Sequence, residues 1–123
     1  MHVLVVDDSK AMRSILGSIL RDAGFEVSEA GDGTEALKSL QENGKVPLIL
    51  VDWNMPPLDG YEFIKAVRAD HTYDDTRLVM VTTETEMEQV SRALEAGANE
   101  YIMKPFTKET LLEKLALLGI VPQ

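Results

Sequence analysis

The sequence predicts an α/β fold in which a doubly wound, five-stranded parallel sheet is flanked by five helices. Short apolar runs alternate with stretches of helical periodicity five times along the 123 residues, a pattern typical of a parallel sheet covered by helices. Four of the runs are continuously apolar, which predicts strands buried on both faces, whereas Phe25–Ala30 alternates with period two and indicates an edge strand. The runs are Val3–Val6, Phe25–Ala30, Leu48–Val51, Leu78–Val81 and Tyr101–Met103.

Each predicted strand is followed by an amphipathic helix with recognisable ends. Polar residues that cap helices mark four of the starts: Ser9, Asp59 with Glu62, Thr85 with Glu88, and Thr107. Glycines mark three of the ends: Gly24, Gly44 and Gly97. Apolar residues at helical spacing are predicted to face the core: Met12, Ile15, Leu16, Ile19, Leu20, Ala23, Ala36, Leu37, Leu40, Phe63, Ile64, Val67, Met87, Val90, Leu94, Leu111, Leu112, Leu115 and Leu118.

Composition limits the class of protein further. The length is near the commonest size of one domain, so residues 1–123 are expected to form a single domain. No apolar run approaches the roughly 20 residues that span a bilayer, and the first residues lack a secretory signal. We therefore expect a cytoplasmic protein without membrane insertion. A formal net charge of -9 opposes nucleic-acid binding, which depends largely on Lys and Arg.

Polar residues stand where four of the predicted strands end. The first strand is followed by Asp7 and Asp8, and the third, fourth and fifth are followed by Asp52, Thr82 and Lys104. Because the carboxyl ends of parallel strands meet at one rim of a sheet, where ligands bind in this class of fold, we expect these side chains to converge. A single acid in such a place could merely cap a helix, but the convergence favours a functional site.

The chemistry of these residues indicates a metal-assisted phosphoryl transfer. Three acids on one rim repel one another at neutral pH, so the site needs a compensating cation or protonation of one acid. Oxygen ligands without histidine or cysteine nearby suit magnesium better than zinc. A carboxylate can also act as a nucleophile and form an acyl phosphate. The transfer then requires mainly positioning and neutralisation of the phosphoryl oxygens, which a divalent ion, a lysine and a hydroxyl supply.

Five separated motifs, in this order and spacing, are shared with a known family: Val5–Ser9, Asp52–Pro56 with Asp59 and Gly60, Val81–Thr83, Ala96–Ala98, and Lys104–Phe106. Through them the sequence resembles, over its full length, the receiver domain of two-component response regulators, and most closely the stand-alone chemotaxis type, called CheY-like. The resemblance implies a flavodoxin-like sheet with the strand order 2-1-3-4-5, which the residues alone do not give.

The resemblance also implies a role for each site residue. Asp52 would be the phosphoacceptor, and Lys104 would pair with the phosphoryl group. Asp8, Asp52 and the backbone carbonyl of Asn54 would hold magnesium directly, while Asp7 assists through water. The family's Lys-Pro peptide bond, here Lys104–Pro105, is usually cis, and an X-Pro bond makes that form accessible.

A conformational switch is implied as well. The Thr82 hydroxyl would move to bond a phosphoryl oxygen, and Tyr101 would turn inward into the space that it leaves, changing the surface of the fourth helix, fifth strand and fifth helix. Phosphorylation need only bind one of two pre-existing states better than the other. From the residues alone, Tyr101 could equally be a strand residue with its hydroxyl in water.

The implied partners follow from the absence of an output domain after the fifth helix. We expect a monomer that receives its phosphoryl group from a sensor histidine kinase, signals in chemotaxis to a target such as the flagellar motor switch, and is reset by a phosphatase. It would catalyse only its own phosphorylation and dephosphorylation. A phosphorelay intermediate is the alternative output. A magnesium-dependent aspartyl-phosphate phosphohydrolase is a weaker alternative, because the short chain offers no cap over a substrate.

One further alternative is a dinucleotide-binding site. Gly31–Ala36 fits a loose fingerprint for such sites, and Asp52 lies about 20 residues further on, where a ribose-binding acid would stand. This interpretation places an acid between the glycines. It also gives no role to the other polar residues of the rim, which are Asp7, Asp8, Thr82 and Lys104.

Overall fold

The structure is a computed structural model that describes residues 1–52, 60–83 and 90–121. One parallel sheet has the strand order β2-β1-β3-β4-β5, which confirms the predicted fold class and the implied order. Its strands are β1 (His2–Val6), β2 (Glu26–Ala30), β3 (Leu48–Asp52), β4 (Arg77–Thr82) and β5 (Glu100–Met103). The helices are α1 (Lys10–Asp22), α2 (Gly33–Asn43), α3 (Gly60–Ala69), α4 (Val90–Ala96) and α5 (Lys108–Leu117). A short 3-10 helix, His71–Tyr73, precedes β4.

Two hydrophobic cores lie on the two faces of the sheet. Successive strand residues face opposite sides, so the register partners Leu4, Ile49 and Leu78 join the core that includes residues of α2, α3 and α4. Their neighbours along the strands, such as Leu50 and Val79, join a second core with residues of α1 and α5. The central strands are apolar throughout because both of their faces are buried.

The described helix ends agree with the predicted caps. The Ser9 side chain accepts a hydrogen bond from the Met12 amide, and Thr107 does the same for Thr110. Gly24 and Gly44 have the positive φ values, 103° and 81°, that suit glycine after a helix. The predicted caps Asp59, Thr85 and Glu88, with the core residue Met87, lie outside the described residues.

The Gly31–Ala36 segment has a structural role that the sequence did not predict. Asp32 is the N-cap of α2, and its side chain accepts a hydrogen bond from the Glu35 amide. The acid between the two glycines is therefore accounted for by helix capping.

Three predictions about burial were wrong. The fifth strand was expected to be buried on both faces, but β5 is the second edge of the sheet, with Met103 37% exposed. Ile15 and Leu94 were predicted to face the core, yet they are 52% and 43% exposed. The apolar stripe of a helix can be wider than the face that contacts the sheet, and these two residues lie beyond that contact.

Arg68, at the end of α3, ties together the rim opposite the acidic residues. Its guanidinium donates hydrogen bonds to the backbone carbonyls of Tyr73, Thr76 and Gly97 at 2.7–3.0 Å and to the side chain of Asn99 at 2.9 Å. Burial lowers the pKa of this guanidinium from its usual value, since desolvation disfavours the charged form.

Among the described helices, none is long and apolar enough to cross a bilayer.

Candidate functional site

Three carboxylates meet at the carboxyl rim of the sheet. Asp7 and Asp8 follow β1, and Asp52 is the last residue of the neighbouring strand β3. One oxygen from each of the three side chains lies within 4.8 Å of the others. Asp7 and Asp52 are 1% and 8% exposed, whereas Asp8 is exposed to solvent. Adjacency of β1 and β3 thus brings together acids that are about 45 residues apart in the chain, as the topology of parallel sheets requires.

The environment of Asp7 leaves one of its oxygens for another ligand. Its Oδ1 accepts a hydrogen bond from the Ser9 amide at 2.9 Å, while its own backbone amide donates to Ala30 at 3.1 Å. Its buried Oδ2 makes no hydrogen bond to any described residue. A buried carboxylate oxygen without such a partner is costly, so a cation at this point would stabilise it.

Lys104 supplies a positive charge to the same rim. Its Nζ lies 3.5 Å from Asp52 Oδ1 and 3.7 Å from Asp7 Oδ2, so the ammonium bridges the two buried acids. The Lys104–Pro105 peptide bond is cis, in agreement with the resemblance. The Lys104 amide also donates to the Thr82 carbonyl at 2.6 Å, which joins the ends of β4 and β5.

Thr82 ends β4 and is fully buried. Its hydroxyl makes a long hydrogen bond of 3.3 Å to the carbonyl of Thr83, and the sheet register places Thr82 beside Met103, the residue before Lys104. Because this hydrogen bond is long and therefore weak, the hydroxyl can donate to another acceptor at little cost in free energy.

The donor set fits magnesium. Asp7, Asp8 and Asp52 offer hard oxygen ligands, and Lys104 balances one of the three negative charges. The exposed position of Asp8 keeps the cluster open to solvent, which suits an ion that retains several waters. Asn54, the fourth predicted ligand, lies outside the described residues.

Tyr101 lies on the edge strand β5, outside the group of acids. Its half-buried ring packs against the core on the α2, α3 and α4 side. The Nζ of Lys114 lies over the ring, 4.5 Å from the centroid, and 3.4 Å from the Glu100 carboxylate. A cation over an aromatic face is an attractive contact, so α5 and β5 are joined through this ring.

One polar contact of the site was not found from the sequence. Arg13 of α1 donates a hydrogen bond from Nη1 to the backbone carbonyl of Asp7 at 2.6 Å. A basic residue on an amphipathic helix is usually solvent-exposed, and nothing in the spacing of apolar residues distinguishes one that reaches back to the preceding loop.

The comparisons with known proteins decide the family. The family model described as "Response regulator receiver domain" matches residues 3–116. This chain is a member of the response regulator receiver family. Receiver domains of the CheY type are signalling switches rather than classical enzymes. The match covers every described residue of the acidic cluster, together with Thr82, Tyr101 and Lys104.

Individual relatives resemble this receiver domain over most of their length. "Chemotaxis protein CheY1" of Helicobacter pylori strain J99 is 44% identical, with 96% of each chain covered. "Chemotaxis protein CheY homolog" of Campylobacter jejuni strain 81-176 is 47% identical, covering 94% of this chain and 89% of its own. The solved structure of chemotaxis response regulator CheY4 of Vibrio cholerae superimposes with a TM-score of 0.88 at 43% identity, covering 95% of this chain and 97% of that one.

Proposed function

We propose that this receiver domain accepts a phosphoryl group from a histidine kinase on Asp52, in a magnesium-dependent reaction, and thereby changes a surface that controls a partner protein. The observation that carries the proposal is the convergence of Asp7, Asp8 and Asp52 within 4.8 Å, with the Lys104 ammonium 3.5 Å from Asp52. A nucleophilic carboxylate, a site for a divalent cation and a fixed ammonium are the components that transfer to an acid requires.

In the transfer, a carboxylate oxygen of Asp52 attacks phosphorus while the bond from phosphorus to the donor histidine nitrogen breaks. The imidazole leaves with its electron pair and takes up a proton. Asp8, Asp52 and the Asn54 carbonyl would hold magnesium, assisted by Asp7, and the bound ion would neutralise phosphoryl oxygens. Lys104 is already at the rim and would pair with a further oxygen. The acyl phosphate therefore forms with little rearrangement of the described residues.

The switch would start at Thr82 and Tyr101. The Thr82 hydroxyl, whose hydrogen bond to the described Thr83 carbonyl is 3.3 Å long, would donate to a phosphoryl oxygen, and Tyr101 would turn inward behind it. Lys114 would then lose or remake its contact with that ring and its ion pair with Glu100, changing the surface of α4, β5 and α5. A preference of a few kcal/mol for the switched state is enough to move most of the population.

Chemotaxis is the proposed pathway, with the flagellar motor switch as the target and a phosphatase to end the signal. It is supported by the names of the relatives, of which the two described above are chemotaxis proteins at 44% and 47% identity. Residues 1–123 would act as one monomeric, cytoplasmic domain. A phosphorelay intermediate is the second candidate, and it would pass the group to a histidine of another protein. Binding of the phosphorylated chain to a motor-switch protein or transfer to a histidine phosphotransfer protein distinguishes the two.

The proposal is tested by intact mass. Magnesium and a small acyl-phosphate donor should add one phosphoryl group to the wild type, and a chelator should prevent the addition. Asp52→Asn should not be labelled although it folds, whereas the matched change Asp75→Asn, at the opposite rim, should be labelled normally. Labelling of Asp52→Asn to the same extent would refute the assignment.

Two alternatives make different predictions in the same preparation. Repeated turnover of a phosphate ester would favour a phosphohydrolase, since a switch is labelled once. Binding of NAD would favour the dinucleotide interpretation of Gly31–Ala36, in which Asp32 already serves as the α2 cap.

A further inference from the structure

We propose that Arg13 is a positioning residue for the magnesium site, fixing the loop that carries Asp7 and Asp8 by binding the backbone carbonyl of Asp7. The inference rests on the proposed function, because it concerns the same acids. It adds a residue that touches neither the metal nor the phosphoryl group.

The contact itself is short and charge-assisted. Arg13 Nη1 lies 2.6 Å from the Asp7 carbonyl oxygen, at the short end of the range for such hydrogen bonds. The Arg13 backbone amide also donates to the Ser9 carbonyl at 3.0 Å, as the first helical hydrogen bond of α1. One residue therefore holds both ends of the three-residue loop from Asp7 to Ser9, and it belongs to a helix that is itself packed against the sheet.

The backbone amide and the Oδ1 atom of Asp7 also make hydrogen bonds, so a small number of contacts sets the orientation of this residue. Its amide donates to Ala30 of β2, and its Oδ1 accepts from the Ser9 amide. With the carbonyl held by Arg13, the buried Oδ2 is the one polar atom of Asp7 without a hydrogen bond to a described residue, and it lies 3.7 Å from Lys104 Nζ. Rotation of the peptide between Asp7 and Asp8 would move both acids, so the carbonyl contact controls the geometry of two of the three carboxylates.

Arg13 is in turn held by the edge strand. Its Nε lies 3.4 Å from Glu29 Oε1, and its side chain is 19% exposed. Arg21, about two turns further along α1, reaches the other oxygen of Glu29 at 3.4 Å but is 52% exposed and has no described contact with the acidic loop. Arg21 therefore provides a matched control: the same charge, the same helix and the same partner on β2, without the bond to Asp7.

Two possible roles of Arg13, as a nearby positive charge or as a positioning residue, predict opposite effects of its removal on metal binding. If Arg13 acted only as a nearby positive charge, its removal would strengthen the attraction of the acids for a cation. If it positions the acids, its removal would weaken binding, and loss of groups that orient metal ligands typically costs about 10- to 100-fold in affinity. The direction of the change decides between the two roles.

The test is calorimetric titration of magnesium into the wild type, Arg13→Met, Arg13→Lys and Arg21→Met. Methionine keeps most of the apolar stem and removes the donors, while lysine keeps the charge but cannot reach Asp7 and Glu29 together. We expect Arg13→Met to raise the dissociation constant for magnesium about 10- to 100-fold. The constant of Arg13→Lys should lie between those of Arg13→Met and the wild type. Arg21→Met should change it by less than about twofold, as distant surface changes do.

Equal or tighter binding by Arg13→Met, or an equal loss in Arg21→Met, would overturn the proposal. Circular dichroism checks that each variant is folded. If Arg13→Met is not folded, Arg13→Lys decides, because a magnesium dissociation constant equal to that of the wild type would also overturn the proposal.

A second readout needs no metal. Hydrogen exchange of the Ser9 amide, which donates to Asp7 Oδ1, should become about tenfold faster in Arg13→Met and stay unchanged in Arg21→Met. Unchanged exchange in both variants would overturn the role of Arg13. If the wild type bound no magnesium, the proposed function would lose its metal, whereas the exchange comparison would still decide whether Arg13 holds the loop.

Discussion

Replacing Asp8 by asparagine should stabilise the metal-free protein while weakening its response to magnesium. The Asp8 carboxylate has an oxygen within 4.8 Å of oxygens of both Asp7 and Asp52. Each such pair repels by about 0.9 kcal/mol at the dielectric constant of water and about 3.5 kcal/mol at an effective constant of 20. Asp8 is exposed, so the lower value applies and the two pairs together cost about 2 kcal/mol.

A smaller effect opposes this gain. Asp8 precedes the N-cap of α1, where a negative charge typically stabilises a helix by about 0.3–1 kcal/mol. The repulsion is the larger of the two, so Asp8→Asn should raise the free energy of unfolding by about 1 kcal/mol in the presence of a chelator.

Urea unfolding with and without magnesium measures both consequences. A bound ion at 100 times its dissociation constant stabilises the folded state by about 2.7 kcal/mol. The variant should retain only part of that gain because it lacks one of the proposed magnesium ligands. The control Asp75→Asn, in an exposed loop before β4, should change neither value by more than about 0.5 kcal/mol. Destabilisation of metal-free Asp8→Asn, or a full magnesium response in it, would refute the reasoning.

Three further predictions concern the scaffold. Arg68→Met should lower the free energy of unfolding by about 2–4 kcal/mol, since it removes a charged hydrogen-bond donor from three partly buried carbonyls; a loss below about 0.5 kcal/mol in urea would contradict this. Leu115→Ala should lower the free energy of unfolding by about 2–5 kcal/mol because the side chain is fully buried. Leu117→Ala, at an 82% exposed position, should be nearly neutral, and equal losses in the two variants would be inconsistent with the fold. The Thr72 amide lowers the pKa of Asp70 by a hydrogen bond, so this acid adds stability that is present above its unfolded pKa and is lost as pH falls through its folded pKa. Asp70→Asn should therefore be less stable than the wild type at pH 7 and approach it in acid, and a pH-independent difference between their unfolding curves would exclude this effect.

The positions of the acids could be predicted because they depend on topology alone. A strand that is apolar throughout and then ends in Asp7 or Asp52 places that acid at the carboxyl rim, whatever the packing of the helices. The caps at Ser9 and Thr107 were predictable for a similar reason, since a helix start depends on residues within one turn. The strand order required the family resemblance.

The rest depended on contacts that no periodicity records. The prediction that β5 is buried on both faces was wrong because an apolar strand at a sheet edge can have the same composition as a central strand. Ile15 and Leu94 are exposed because the sheet contacts only part of each helix stripe. Arg13 and Arg68 bind backbone carbonyls, and a carbonyl acceptor is present at every residue, so no sequence pattern identifies which one will be reached.

Direct localisation of the phosphoryl group tests the central claim most sharply. After treatment with magnesium and an acyl-phosphate donor, reduction with borohydride converts an aspartyl phosphate to homoserine, which peptide sequencing by mass spectrometry places at one residue. The rim geometry predicts homoserine at residue 52 alone, and none when a chelator is present. Homoserine at residue 7 or 8, or its absence from a wild-type protein that binds magnesium, would contradict the assignment of Asp52 as the phosphoacceptor.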